Sequence, residues 1–201
     1  KTDAKKVFII GAGLIGSEFA NDLLNGGFSV EAVDPLAHNL ASLLPEKAGL
    51  ALQRSLEKAG ARFHFGTVAE SIDHHGDGVR ISLANGDHID ADIVVSAVGV
   101  RPRIHLAAAS GINVNRGILA DRLLATNAPN VYTLGDCAEV EGHVLYYVAP
   151  LMAAARALAK TLAGVPTEVV YPAMPVAIKT PACPVVVSPP AHGSDGEWQI
   201  S

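Results

Sequence analysis

Val7-Phe8-Ile9-Ile10-Gly11-Ala12-Gly13-Leu14-Ile15-Gly16, followed downstream by Asp34, is the stretch that decides the fold. It reads as an apolar strand, a glycine turn, a helix from Leu14 to Asn25, and a second strand, Phe28 to Val33, that ends on a carboxylate. That order is the fingerprint of a βαβ unit that binds a dinucleotide. Each glycine has a distinct reason. Gly11 turns the chain sharply out of the strand, Gly13 carries no side chain to block a pyrophosphate, and Gly16 lets the helix lie close to the sheet. The helix N-terminus then offers unpaired N–H groups and the positive end of a dipole to the phosphates. Asp34 can accept both ribose hydroxyls. A 2′-phosphate would meet its negative charge with no arginine close behind to receive it, so the expected ligand is NAD(H) rather than NADP(H).

The composition agrees with a core-forming protein. Of 201 residues, 49% are hydrophobic and 17% charged, which leaves room for one large domain or two small ones. A formal charge of −5 with no basic cluster argues against a nucleic-acid surface. No apolar run reaches the ~20 residues that span a bilayer, so no membrane partner is expected. Cys137 and Cys183 stand far apart and form no C-x-x-C pair, which makes a reducing cytoplasm the default compartment. The eight histidines recur at no ligand spacing, so no metal site is expected; His74-His75 read as part of a hairpin turn.

Outward from the fingerprint, the pattern predicts an α/β fold. The first helix turns an apolar face of Leu14, Ile15, Phe19, Leu23 and Leu24 to the core, and Gly26-Gly27 ends it. A second helix opens at Pro45 and runs to about Ala59, with Leu52 and Leu56 one turn apart. Arg62–Phe65 is a third strand. Thr67–Asp73, Val79–Leu83 and His88–Ile89 form an antiparallel excursion, and Ile93–Val98 reads as a buried parallel strand. Residues 1–112 thus form a Rossmann-like domain with a three-stranded insertion. Beyond it come a short helix (Ile104–Ser110), a strand near Gly117–Ala120, a strand Val131–Leu134, a long helix from Pro150 to about Leu162, and short strands Val176–Ile178 and Val185–Val187.

A second constellation sits at Gly135-Asp136. An acid at the end of a strand points into the crevice where open α/β sheets bind ligands, and it can accept hydrogen bonds from a polyol. The same acid could equally cap the next turn.

With these residues in hand, the chain resembles a known family. The run TNAPNVYTLGDCAEV (126–140) resembles the second flavin-binding motif of the two-dinucleotide-domain flavoprotein disulfide reductases, the FAD-dependent pyridine nucleotide-disulfide oxidoreductases. DIVVSAVGVRP (92–102) resembles the motif that closes their NAD domain. GAGLIGSEFANDL (11–23) and AMPVAIKTPACPVVV (173–187) are most similar to the rubredoxin–NAD(+) reductases. The resemblance implies FAD and NAD as cofactors and electron transfer from NADH through flavin to rubredoxin. It puts Gly11, Gly13, Gly16 and Asp34 at the NAD site, Glu18 near the nicotinamide–flavin junction, and Gly99 in the closing motif. It makes Asp136 the ligand of the flavin ribitol, and Lys179 a lysine that approaches the flavin. Val148, just before the helix opened by Pro150, would present a backbone N–H to the flavin's pyrimidine carbonyl.

The family also opens with a separate FAD fingerprint, well before the NAD fingerprint. The expectation is therefore a piece of a longer protein: residues 1–112 as NAD domain, 113–165 as the second half of an FAD domain, and 166–201 as the start of a C-terminal interface domain. No side chain is needed as acid or base in a hydride step, so none is assigned a catalytic role. Cys137 is expected to be a small buried residue rather than a catalytic thiol.

Overall fold

The computed structural model describes residues 4–171 and 174–188; the first three residues and the end of the expected interface segment, 189–201, lie outside the described residues. Two compact units emerge: Lys1–Gly99 together with Pro175–Ser201, and Val100–Met174.

The first unit is built on a four-stranded parallel sheet. Its strands are β1 (Lys6–Ile10), β2 (Ser29–Asp34), β3 (Arg62–Phe65) and β7 (Ile93–Ser96), in the order β3-β2-β1-β7. The strand period of two sorts their side chains. Val7 and Ile9 of β1, with Val30 and Ala32 of β2, pack on one face beneath helix α1 (Leu14–Asn25). Phe8 and Val33 point the other way, into a cluster with Ile81, Leu83 and Ala91. Those last residues come from the antiparallel excursion β4 (Ala69–His75), β5 (Gly78–Leu83) and β6 (His88–Ala91). Across β5 and β6, Arg80 faces Asp90 and binds both carboxylate oxygens, at 2.7 and 2.8 Å. Helix α2 (Glu46–Lys58) buries Leu52 and Leu56 completely. The hairpin β10 (Val176–Ile178) and β11 (Val185–Val187) adds Ile178 and Val187 to the same cluster.

Three expectations change here. The buried face of α1 is Gly16, Ser17, Ala20 and Asn21, while Ile15 and Phe19 are 47% and 45% exposed. A helix that approaches a sheet this closely has room only for small side chains on its inner side. Strand β7 stops at Ser96 rather than Val98 and lies at the edge of the sheet; Val94 packs into the cluster on one face and Val95 into that on the other, while Ile93 and Val98 are exposed. His74 and His75 are the last residues of β4, and the turn itself is Gly76-Asp77.

The second unit contains a short helix α3 (His105–Ala109), a parallel pair β8 (Ile118–Ala120) and β9 (Ala138–Val140), and helix α4 (Val148–Leu162). Leu124, Val140, Ala154, Ala157, Leu158 and Val169 form its core. The expected strand Val131–Leu134 is extended but makes a single bridge, Tyr132 to Ala125, because the chain loops back on it only at that point. Gly135–Cys137 forms one turn of 3-10 helix. No helix among the described residues is long and apolar enough to cross a membrane.

Candidate functional site

The glycine turn shows what each glycine is for. Gly11 has φ +103°, donates its N–H to the Val33 carbonyl at 2.8 Å, and would put a Cβ 2.5 Å from the Ala97 carbonyl oxygen. A Cβ on Gly16 would overlap the carbonyl of Gly11. Both are required by the fold itself. Gly13 is different: its φ of −70° suits any residue, and a Cβ there would meet nothing within 4 Å. It begins α1, whose N-terminus has no side-chain cap and no acid in its first turn. Its N–H groups and dipole end are thus left for an anion, in a place open to one. The residues present fit a dinucleotide pyrophosphate.

Asp34 closes β2 beside this turn, but it is nearly enclosed, at 9% exposure. Its Oδ2 accepts the Ala12 N–H at 2.7 Å and its Oδ1 the Leu36 N–H at 2.8 Å. A carboxylate offers about four acceptor directions, so two remain. Besides the acceptor directions left for ribose hydroxyls, Asp34 ties the glycine turn to the following loop.

Glu18 and Lys179, 161 residues apart, meet. The Lys179 backbone N–H donates to Glu18 Oε1 at 2.8 Å, and one turn along α1 the Ala182 N–H donates to Asn21 Oδ1 at 3.1 Å. The β10–β11 hairpin is thereby fastened to the helix that carries the glycine turn, with the Lys179 side chain exposed. Gly99 lies at the end of the unit with φ +96°, a conformation that favours glycine.

In the second unit, Gly135 (φ +80°) brings the 3-10 turn against the first turn of α4, where a Cβ on it would lie 3.0 Å from Leu151 Cδ1. A hollow there is lined by Gly135, Ala138, Pro150, Leu151 and Tyr171, and burial raises the Tyr171 phenol above its ordinary pKa. Asp136 is exposed beside it. Val148 is not ahead of the helix, as the sequence suggested, but is its first residue, 74% exposed. Pro150 falls within the first turn, where the missing N–H costs no helical bond. No side chain caps this helix either, so an open acid and an uncapped helix N-terminus lie next to one another. That pairing suits a polyol with a neighbouring carbonyl acceptor, and half of a flavin cradle fits these residues. Cys137 is a free, part-buried thiol 3.6 Å from the Leu134 carbonyl oxygen.

Three polar residues were not singled out from sequence. Ser17 and Asn39 are buried and bonded to each other at 3.0 Å beside the glycine turn. Glu139, 3% exposed, accepts the Gly117 N–H at 2.8 Å and the Asn115 side-chain amide at 3.0 Å. Burial by itself pushes the Glu139 carboxyl up, but these two hydrogen bonds and the Arg116 charge hold it below the ordinary carboxylate range. The signal available was a carboxylate between two residues of an apolar strand, Ala138 and Val140.

A parallel sheet with a glycine turn, an end-of-strand acid and an uncapped helix defines a dinucleotide-binding protein of the doubly wound α/β class. The pyridine nucleotide-disulphide oxidoreductase family matches residues 1–161, and the chain belongs to that family. The rubredoxin binding C-terminal domain matches residues 168–201. The chain is 58% identical over 198 residues to a rubredoxin-NAD(+) reductase of Alcanivorax borkumensis, covering 98% of the chain and 52% of the relative. Its identity to a rubredoxin-NAD(+) reductase of Acinetobacter baylyi is 48% over 201 residues, covering 99% and 51%. The chain thus spans about half the length of these curated relatives. Among solved structures it is similar to the ferredoxin reductase for the CYP199A2 system from Rhodopseudomonas palustris, with a TM-score of 0.80 and 33% identity over 85% of this chain and 44% of that one.

Proposed function

We propose that the chain is part of an FAD-dependent reductase that carries electrons from NADH to rubredoxin. The observation that carries the nucleotide part is Gly13: neither its backbone angle nor its packing calls for glycine, and it is the N-cap of a helix that no side chain caps. The rubredoxin part is supported by the match at 168–201 and by the names of the relatives. Three segments divide the work: 1–112 binds NADH, 113–165 contributes the second half of the flavin domain, and 166–201 belongs to the rubredoxin-facing domain.

When bound, FAD accepts a hydride from NADH and releases electrons singly to an iron–sulfur partner. The chain's own residues bind and orient. Gly11, Gly13 and Gly16 shape the pyrophosphate turn, and the remaining acceptor directions of Asp34 receive ribose hydroxyls and disfavour a 2′-phosphate. Glu18 and Lys179, joined by their hydrogen bond, flank the nicotinamide–flavin junction, and Gly99 keeps the end of the first unit in its tight conformation. Asp136 accepts from the ribitol and the Val148 N–H faces the flavin ring. No side chain acts as acid or base. Two free cysteines suit a reducing compartment, and we assign the protein to the cytoplasm.

Fluorescence titration of the 201-residue chain with NADH and NADPH tests the first step. Saturable binding with preference for NADH supports the reading, and no binding of either ends it.

A further inference from the structure

The peptide between Ala12 and Gly13 is held from the protein side by a relay of polar groups, and this follows from three bonds. The Ala12 carbonyl oxygen accepts the Ser17 hydroxyl at 3.0 Å and the Leu40 N–H at 3.0 Å. The Ser17 oxygen in turn accepts the Asn39 side-chain amide at 3.0 Å. Because Asn39 donates to Ser17, the serine's own proton is committed to Ala12. Leu40 delivers its N–H from a left-handed backbone conformation, φ +53°, unusual for a buried leucine.

Stability alone does not account for the relay. Asn39 is completely buried, yet its Oδ1 has no partner among the described residues. A buried amide oxygen left unpaired is unfavourable, and an apolar side chain of that volume would avoid the cost. What the relay does fix is a direction. In a trans peptide the C=O and N–H point opposite ways, so drawing the Ala12 carbonyl inward turns the Gly13 N–H outward. Of the three glycines of the turn, Gly13 is the one with open space around it.

We propose that Ser17 and Asn39 are positioning residues that aim the Gly13 N–H at the pyrophosphate of a bound dinucleotide. The proposal rests on the nucleotide reading of the glycine turn. It goes beyond that reading by assigning the orientation of the turn to two side chains that lie behind it.

The test uses the 201-residue chain with Ser17→Ala and, separately, Asn39→Leu. The second removes the unpaired oxygen and the donor to Ser17 while keeping the number and branching of side-chain heavy atoms, and a thermal melt on each variant checks that it folds. NADH affinity is read by fluorescence titration. ADP and adenosine are compared as displacing ligands, because only ADP brings a diphosphate. Each variant should weaken NADH and ADP by about 3- to 10-fold, less than loss of a whole bond to a charged group because the N–H is misaimed rather than removed, and leave adenosine displacement unchanged. Should Ser17→Ala fail to fold, Asn39→Leu decides alone. Unchanged NADH and ADP affinity overturns the relay, as does an equal loss for ADP and adenosine. If the unsubstituted chain binds no NADH, the nucleotide reading itself fails and the relay falls with it.

Discussion

Substituting Gly13 by alanine separates space kept for a ligand from space needed by the fold. The backbone at Gly13 already sits at φ −70° and ψ −161°, and the added methyl touches nothing within 4 Å. Restricting the unfolded chain contributes about 0.4–1 kcal/mol of stability. Replacing glycine by alanine at a helix N-cap costs about 0.5–1 kcal/mol. The two nearly cancel, so the melting temperature should move by less than about 3 °C. Binding should not escape. The methyl projects into the open space before the helix N-terminus, and moving a phosphate off its N–H donors forfeits about 1.5–3 kcal/mol, a factor of ten or more in NADH affinity. Gly16→Ala supplies the contrast. Its Cβ would overlap a backbone carbonyl, the helix must retreat, and about 1–3 kcal/mol is lost, or roughly 3–10 °C. Thermal melts by circular dichroism and NADH fluorescence titrations on the same samples read both quantities. Full NADH affinity in Gly13→Ala, or melting as depressed as that of Gly16→Ala, would refute the assignment.

Other outcomes follow from the same geometry. Glu139 has its folded pKa lowered, so the stability it contributes is present above the unfolded glutamate value of about 4.3 and is lost as pH falls through the lower folded value. Melts between pH 6 and 3 should show that acid loss shrinking in Glu139→Gln, and an unchanged profile counts against it. Asn21→Ala leaves the Ala182 N–H without its acceptor, at about 1–3 kcal/mol, and amide exchange should rise around 179–183 before it rises in β1. Leu52→Ala, at a wholly buried site under the hairpin, should cost about 2–5 kcal/mol by denaturant titration. In a full-length reductase carrying this segment, Glu18→Ala should slow stopped-flow flavin reduction by NADH more than it weakens NADH binding. Normal reduction would remove Glu18 from the junction.

How much of this was legible depended on whether the signal was local. Helix α1 was read to the residue, because a glycine turn and a Gly-Gly stop bracket it, and β10 and β11 likewise, because prolines and a turn isolate them. The buried face of α1 was read in part: Leu14, Leu23 and Leu24 do pack against the cores, but Ile15 and Phe19 lie at the rim, since periodicity marks large apolar residues whereas a tight helix–sheet contact selects small ones. Strand Val131–Leu134 was misread for a related reason. An apolar run predicts extended backbone, but whether a partner lies alongside is not written in it. Ser17, Asn39 and Glu139 escaped notice because a buried polar residue is recognised by its partners, and apart from the bond of Ser17 to Ala12 those lie 22 or more residues away in the chain.

The two end-of-strand acids, alike in sequence, are therefore different objects. Asp34 holds two backbone N–H groups and is almost closed off, so Asp34→Asn would disturb the glycine turn as well as any ribose contact: a neutral amide oxygen accepts more weakly, and the amide nitrogen cannot accept at all. Asp136 stands exposed on a turn whose shape is fixed by Gly135 and the packing of α4, so Asp136→Asn leaves the fold alone and removes charge only. A loss of ligand affinity from the first substitution cannot be credited to the ligand without a melting curve, whereas a loss from the second can. That asymmetry, invisible as long as both residues are simply carboxylates after a strand, decides which of the two is the cleaner probe of its site.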